Sequence, residues 1–359
     1  LAGLLLALSP FHLWYSQEAR GYTLLMLGAV LASLAFLRLV ERPGPGRAAA
    51  YAAAAAVVGW SNLSGLSLIG AHFLTLVVSG RPVGRRAWGW CLGAFAAAGA
   101  AVAPWLLQAS GILAVGRLVP GAEVGPALRG ATTFSPFAYP FTIYSFFFGF
   151  SLGPSLAELH AVDRLAVLRP HWPLLAAAGL VTATVLAAGA ARLGRRSAVR
   201  LGLWIGVPLL LTGLMAWRNF KPFNPRYLAA VAPLVLLVAA HGLASLPRRL
   251  GRLAGVALLA LSLWSLYNYH ADPRYAKEDL RDAGSWLSGR SDPGDPVLVP
   301  VVTNVFSLYY PGPGQVVSFW EQPPVATLGE ARALLRAKMG GAARGFLVLS
   351  RAWEIDPGG

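Results

Sequence analysis

Nine apolar runs, joined by short segments that carry most of the charge, dominate the first 270 residues of this chain. They lie near 1–14, 22–40, 48–61, 65–79, 88–107, 172–191, 201–217, 227–245 and 253–270. Only 13% of all residues are charged, whereas a soluble globular protein has about 25%. Because a helix needs about 20 apolar residues to cross a bilayer, the runs predict a mainly α fold, a polytopic transmembrane helical bundle of about 8–9 spans.

Two parts of this region do not fit a simple span. The runs 48–61 and 65–79 are short and are separated by Ser61-Asn62-Leu63-Ser64-Gly65, so they form either a tight helical hairpin or one re-entrant unit. The long segment 108–171 has an aromatic centre at 139–150 that Pro and Gly interrupt. We interpret this centre as a re-entrant or interfacial element.

The basic residues between the runs indicate an orientation. If 15–21 faces outwards, the four inner segments near 38–47, 81–86, 192–200 and 248–252 carry thirteen arginines and one acid, Glu41. This distribution follows the positive-inside rule. It accounts for much of the formal charge of +15 without nucleic acid, which we do not expect as a partner. We expect a multi-pass protein of the cell (inner or plasma) membrane, surrounded by membrane lipids.

The composition changes after residue 270, where ten of the fifteen acids lie. A helix is predicted at 275–287, strands at 296–302 and 315–319, a helix at 328–338 and a strand at 345–350. Alternation of this kind predicts a small α/β domain. We therefore divide the chain into a transmembrane domain, 1–270, and an extracytoplasmic domain, 271–359. Since the chain begins with Leu1 inside an apolar run and stops soon after a strand, we interpret it as a fragment of a longer protein.

The first candidate site lies between the first two runs, where Glu18 and Arg20 occupy one short outer segment. An acid this close to the hydrocarbon costs free energy unless it has a partner or a function. Charge placement alone favours equally a functional carboxylate and a local Glu18–Arg20 pair that only caps the helix at 22–40.

The second candidate is the outer segment 217–227, where Arg218, Lys221 and Arg226 violate the charge rule that the other short loops obey. An anion at the outer surface would compensate for them, and the planar guanidinium group suits phosphate. The following helix would add its N-terminal dipole. The alternative is contact of Arg218 and Lys221 with lipid head groups.

Several other chemistries lack a signal in the sequence. The single cysteine, Cys91, supports neither a disulfide framework nor a thiolate metal site. No pair of histidines has metal-ligand spacing on a helix, and neither a P-loop nor a G-x-S-x-G motif occurs. Within the spans His72 is the only ionisable candidate well inside a run, and such a residue is more often packed and hydrogen-bonded than a ligand.

Three segments carry a resemblance to a known family. They are Ser9-Pro10-Phe11 followed by Trp14–Tyr22 (Trp-Tyr-Ser-Gln-Glu-Ala-Arg-Gly-Tyr), the aromatic stretch Phe147–His160, and Pro225-Arg226-Tyr227 at the start of a late helix. Together with the order of many helices before an outer domain, they resemble bacterial GT-C superfamily glycosyltransferases related to the dolichyl-phosphate-mannose protein mannosyltransferases (glycosyltransferase family 39-like). The segment Tyr15–Arg20 is the most specific part.

The resemblance implies a transferase that moves a hexose or pentose from a polyprenyl-phosphate carrier to a lipid, glycan or protein acceptor outside the membrane, with inversion at the anomeric carbon. The family's principal catalytic acid would lie in an outer loop before Leu1. Glu18 matches a second acidic position, so Glu18 and Arg20 are assigned to catalysis. No cofactor is certain, and a divalent metal, if there is one, would bind Glu18. Residues assigned to substrate binding are Arg226, Tyr227, Lys221, Arg218, Tyr22 and Tyr15.

The competing hypothesis is a transporter or flippase of a lipid-linked or anionic solute. Such a protein would use the same outer cations, but it would show polar or broken helices near the midplane and related halves. The runs consist mainly of Ala, Leu, Val and Gly, and the sequence shows no internal repeat. These features favour the enzyme.

Overall fold

The computed structural model describes residues 1–79, 84–110, 134–160, 164–218, 223–299, 303–318 and 327–350. These residues are mainly helical and form two compact units. Unit 1 comprises 1–153 and 172–268, and unit 2 comprises 154–171 and 269–359. Segment 154–171 thus belongs to the unit that contains the C-terminal sheet, although the sequence places it in the transmembrane domain.

Unit 1 is built from α-helices. In chain order they are α1 (Ala2–Ala7), α2 (Pro10–Ser16), α3 (Tyr22–Glu41), α4 (Pro45–Ser61), α5 (Leu66–Ser79), α6 (Arg85–Ser110) and α7 (Ala138–Phe148); after α8 of unit 2 (Arg164–Leu168) follow α9 (Trp172–Ala191), α10 (Arg195–Trp217), α11 (Ala232–Ser245) and α12 (Arg248–Ala271). Within the described ranges, five helical segments are long and apolar enough to cross a membrane: 22–41, 85–108, 165–191, 195–217 and 248–271. Shorter apolar helices lie at 63–78 and 232–245.

The run 1–14 is not one continuous helix. It breaks at Ser9, whose hydroxyl accepts a hydrogen bond from His12 N (3.2 Å) and so caps the N-terminus of α2. Pro10 follows at the first helical position, where its missing N–H costs nothing. The Ser9 hydroxyl also donates to the carbonyl oxygen of Phe146 (2.8 Å) and thereby joins α2 to α7.

The runs 48–61 and 65–79 form two separate helices, α4 and α5, joined by a 3-10 turn at Leu63–Gly65. Helix α4 packs against α3 and α6, whereas α5 packs against α10. Between them His72 is fully buried, with hydrogen bonds of 3.2 Å to the Ser33 hydroxyl and 3.3 Å to the Tyr51 hydroxyl. Its ring stacks on Phe36 at 4.8 Å. His72 is therefore a packed, hydrogen-bonded residue that joins α3, α4 and α5.

The aromatic centre of the long segment forms the short helix α7, whose C-terminal half is buried. The chain leaves this helix at Gly149, which has φ +59° and faces Pro10 so closely that a side chain would collide with it. Because the helix ends inside the unit, its last carbonyls need other donors. The carbonyl oxygens of Phe146, Phe147, Phe148, Ser151 and Leu152 accept hydrogen bonds from Ser9, Ser262, Ser265, Asn268 and Tyr144, respectively.

Unit 2 contains a three-stranded parallel sheet, as the alternating elements predict. The strands are β1 (Pro296–Val299), β2 (Gln315–Ser318) and β3 (Phe346–Leu347), in the order β2-β1-β3. The helices are α8, α13 (Leu280–Ser288), α14 (Thr303–Tyr309) and α15 (Leu328–Met339). The core consists of Leu287, Val297, Val299, Phe306 and Tyr310.

Two helices of unit 2 differ from the sequence-based prediction, and β3 comprises only Phe346–Leu347 of the strand predicted at 345–350. Helix α13 begins at Leu280 rather than 275, because the Asp279 carboxylate caps it by accepting from the backbone N–H groups of Arg281 and Asp282. Helix α14 was not predicted, since its seven residues follow the apolar run 296–302 directly and are too few to show a helical period.

Candidate active site

Three turns meet at one end of unit 1. The first is residues 17–21, which join α2 to α3; the second is the 3-10 turn 63–65; the third is the 3-10 turn Pro225–Leu228. The second and third turns pack against each other. Gly21 lies against the end of α4 so closely that an added Cβ would come within 2.6 Å of the Ser61 carbonyl oxygen. Residues far apart in the chain, including both predicted candidate segments, are therefore brought together.

Asparagine side chains shape two of these turns in the same way. The Asn62 amide oxygen accepts from Ser64 N at 3.0 Å, and the Asn224 amide oxygen accepts from Arg226 N at 3.1 Å. Such a side-chain hydrogen bond two residues ahead favours a turn over a continuing helix. Pro225 occupies the first position of its turn and is buried. The position of the Arg226 backbone is thus fixed by the residues that precede it.

The guanidinium group of Arg226 lies among tyrosines. Its Nη2 donates a hydrogen bond to the Tyr227 hydroxyl (3.2 Å). Its positive charge also interacts electrostatically with the hydroxyls of Tyr15 and Tyr22. Its Nε is buried and has no hydrogen-bond partner in the part of the chain that the structure describes. Burial lowers the pKa of Arg226, but its hydrogen bond to Tyr227 and its electrostatic interactions with Tyr227, Tyr22 and Tyr15 raise the pKa overall, so the group is cationic at neutral pH. A buried polar atom without a partner requires an explanation.

An aromatic cluster borders this cation. Tyr15 is only 4% exposed, and its ring lies 4.9 Å from that of Tyr22 and 4.7 Å from that of Phe11. Phe150, just after α7, lies 5.4 Å from Trp14 and 6.2 Å from Tyr15 in edge-to-face geometry. Burial, together with Glu18, raises the pKa of the Tyr15 phenol, which therefore stays protonated and able to donate a hydrogen bond.

Glu18 and Arg20 do not form the local pair that the sequence allows. Both residues are described, and no ion pair joins their side chains; Arg20 instead lies beside the Tyr22 hydroxyl. Glu18 is half-buried. Its negative charge raises the pKa of the Tyr15 phenol, whereas the positive charge of Arg226 lowers it. Neither residue caps α3, because its N-cap residue is Gly21 and its first turn contains no acid. The capping alternative therefore does not account for this pair of charges.

The segment 217–227 contains two further cations, Arg218 and Lys221. Arg218 is the C-cap residue of α10, where its charge faces the negative end of the helix dipole. Lys221 lies outside the described residues. Among the described residues of this segment, Arg226 has a side chain that interacts electrostatically with Tyr15 and Tyr22.

Two polar residues at this end were given no function from the sequence. The Ser64 hydroxyl is buried without a hydrogen-bond partner among the described residues, and so is Nδ1 of His12 in α2. The signal for Ser64 was its position in an Asn-Leu-Ser turn directly before a helix, a turn interpreted only as a break between two runs. His12 carried no signal, because it lies within an apolar run.

The chemistry available at this site is that of anion binding. A cation, several phenol hydroxyls and one carboxylate converge at an end of apolar helices. Across the described ranges, no group of three His, Cys, Asp or Glu side chains is placed to hold a metal ion. Among the described residues Glu18 alone is an incomplete ligand set for the divalent metal that the resemblance allows.

Fold and site together define a class: a mainly helical protein with several helices able to cross a membrane and an arginine–tyrosine site at one end of them. Comparison of the chain with protein-family models, with curated proteins and with solved structures finds no match.

Proposed function

We propose that this chain is a membrane glycosyltransferase that takes a sugar from a polyprenyl-phosphate donor and transfers it to an acceptor outside the membrane. In this proposal the apolar helices form a multi-pass domain of about 8–9 spans, and the C-terminal α/β unit is extracytoplasmic. The resemblance of Trp14–Tyr22 and Pro225–Tyr227 to GT-C enzymes and the arginine distribution support it.

One observation carries the proposal most directly. Arg226 is a cation whose Nε is buried and unpartnered among the described residues, and it lies among the hydroxyls of Tyr15, Tyr22 and Tyr227. A bound phosphate would supply the missing acceptor, and charge-assisted hydrogen bonds from arginine to phosphate are among the strongest in proteins. A carrier lipid whose tail remains in the bilayer would present its phosphate at this kind of position, where apolar helices end.

The proposed reaction is a single displacement. An acceptor hydroxyl oxygen attacks the anomeric carbon and forms the new glycosidic bond, while the bond from that carbon to the phosphate oxygen breaks and its electron pair leaves with the phosphate. Arg226 and Arg20 stabilise the growing charge on the leaving oxygens. A carboxylate accepts the acceptor proton, and Glu18 lies near the donor phosphate.

The experiment is transfer from a radiolabelled polyprenyl-phosphate sugar in membranes that contain the full-length protein. Glu18→Gln and Arg226→Ala should each abolish transfer while membrane expression is unchanged. Arg249→Ala, at the exposed start of α12, is the matched control and should retain full activity. Full activity of Arg226→Ala would refute the proposal. Transbilayer movement of the intact lipid-linked sugar without transfer would favour the flippase instead.

A further inference from the structure

The turn that carries Ser64 lies against the turn that carries Arg226. The Ser64 hydroxyl and Arg226 Nε are both buried, and neither has a hydrogen-bond partner among the described residues. A buried polar group without a partner is destabilising, so two such groups on contacting turns are unexpected unless something satisfies them. One acceptor located between the two turns would satisfy both groups.

The Ser64 turn is held firmly in place. Gly65, next to Ser64, leaves no space for a side chain, because an added Cβ would lie 2.6 Å from Leu25 and 2.5 Å from Val58. The backbone N–H of Ser64 is already bonded to Asn62. The hydroxyl is therefore the group of Ser64 that is left to bind a ligand. The close packing of Gly65 and the bond to Asn62 fix the position of the Ser64 backbone.

The neighbouring serine behaves differently. Ser67, one turn further along, donates its hydroxyl to the Ser64 carbonyl oxygen at 2.6 Å. Ser64 and Ser67 thus share residue type and location but differ in whether the hydroxyl is satisfied within the chain. The pair provides a control for the effect of removing a hydroxyl from this turn.

We propose that Ser64 is a positioning residue for the anion that Arg226 binds, and that its hydroxyl donates a hydrogen bond to a phosphate oxygen. This inference rests on the proposed function and adds a donor that neither the apolar runs nor the resemblance identified. The ligand class is a phosphate monoester or diester on an apolar chain. A hydroxyl also distinguishes such an anion from a carrier alcohol without phosphate, because only the former presents charged acceptor oxygens here.

The test measures binding of a short-chain polyprenyl phosphate to the detergent-solubilised full chain, with the corresponding polyprenol as a second probe. Ser64→Ala should weaken phosphate binding about tenfold, the effect of one hydrogen bond to a charged group, and leave polyprenol binding unchanged. Ser67→Ala should leave both unchanged. Ser64→Thr keeps the hydroxyl and should restore most of the phosphate affinity, which a purely structural role would not require.

A double-mutant cycle with Arg226→Ala completes the test, since two residues that contact one phosphate should show non-additive losses. If Arg226→Ala weakens phosphate binding and Ser64→Ala does not, the role of Ser64 is refuted while the proposed function stands. If neither substitution affects phosphate binding, both proposals are refuted. If Ser64→Ala weakens phosphate and polyprenol equally, the residue supports the fold only and the inference is overturned.

Discussion

Removing the Ser265 hydroxyl tests whether side chains from α12 hold the end of α7 in place. Ser265 is fully buried, and its hydroxyl donates to the Phe148 carbonyl oxygen at 2.6 Å. A second contact, 2.9 Å long, joins it to the Ser151 hydroxyl, which is also bonded to the Ser265 carbonyl oxygen and so keeps a partner in Ser265→Ala. The variant therefore deprives one buried carbonyl, that of Phe148, of the donor that Ser265 provides.

The expected loss of unfolding free energy is about 1–3 kcal/mol, the desolvation cost of a buried acceptor left without a partner. Two other serines provide comparisons for this loss of unfolding free energy. Ser262 makes a longer bond of 3.3 Å to Phe147 and is only partly buried, so Ser262→Ala should cost less. Ser245 lies at the end of α11, and its exposed hydrogen bond stays within that helix, so Ser245→Ala should change stability by less than about 0.5 kcal/mol.

The assay is reversible unfolding of the purified chain in mixed detergent micelles, with the three variants measured in parallel. Since Phe150 follows α7 and contacts Trp14 and Tyr15, phosphate binding should also weaken in Ser265→Ala. A Ser265→Ala protein as stable as the Ser245→Ala protein would refute the view that these hydrogen bonds fix the non-helical segment after α7.

Two further predictions concern packing and charge. A Cβ at Gly242 would collide with a backbone oxygen of α9, so Gly242→Ala should separate α9 from α11 and cost about 1–3 kcal/mol of unfolding free energy in the same assay. The control is Gly93→Ala, whose Cβ meets nothing within 4 Å and which should not lose this stability. Equal losses in the two variants would contradict this account. In unit 2 the Arg344 hydrogen bond lowers the pKa of Asp295 below its ordinary 3.8, so Asp295 contributes stability that is present above that pH and lost as the pH falls through the lowered pKa. Arg344→Ala should therefore lower the Tm of the C-terminal unit by more at pH 7 than at pH 3, and an equal loss at both would contradict the assignment.

Much of the helical architecture could be read from the sequence, because hydrophobicity is a local property. The runs at 22–40, 172–191 and 253–270 match α3, α9 and α12 within a few residues, since a long apolar helix needs no particular neighbour to be predicted. The strands β1 and β2 were found for the same reason, as short apolar segments between turn residues.

Boundaries set by individual side-chain contacts were harder to predict. The break at Ser9 depends on a hydroxyl that both caps α2 and bonds to Phe146, 137 residues away. The burial of α7 depends on serines and an asparagine of α12, more than a hundred residues away in the chain. No local pattern encodes such partners, so the segment 139–150 was predicted only as a re-entrant or interfacial element.

The sequence by itself determined that apolar helices would dominate and that charge would lie between them. It also indicated Glu18, Arg20 and Arg226 as candidate site residues. Tertiary structure decided that Glu18 and Arg226 both interact electrostatically with Tyr15 and that Glu18 and Arg20 stay unpaired with each other. It also decided that the turn of Ser64 packs against the turn of Arg226, with the Ser64 hydroxyl buried and without a partner among the described residues. The physical reason is range: hydrophobic periodicity acts over a few residues along the chain, whereas burial and hydrogen bonding depend on which distant turns the packed helices bring together.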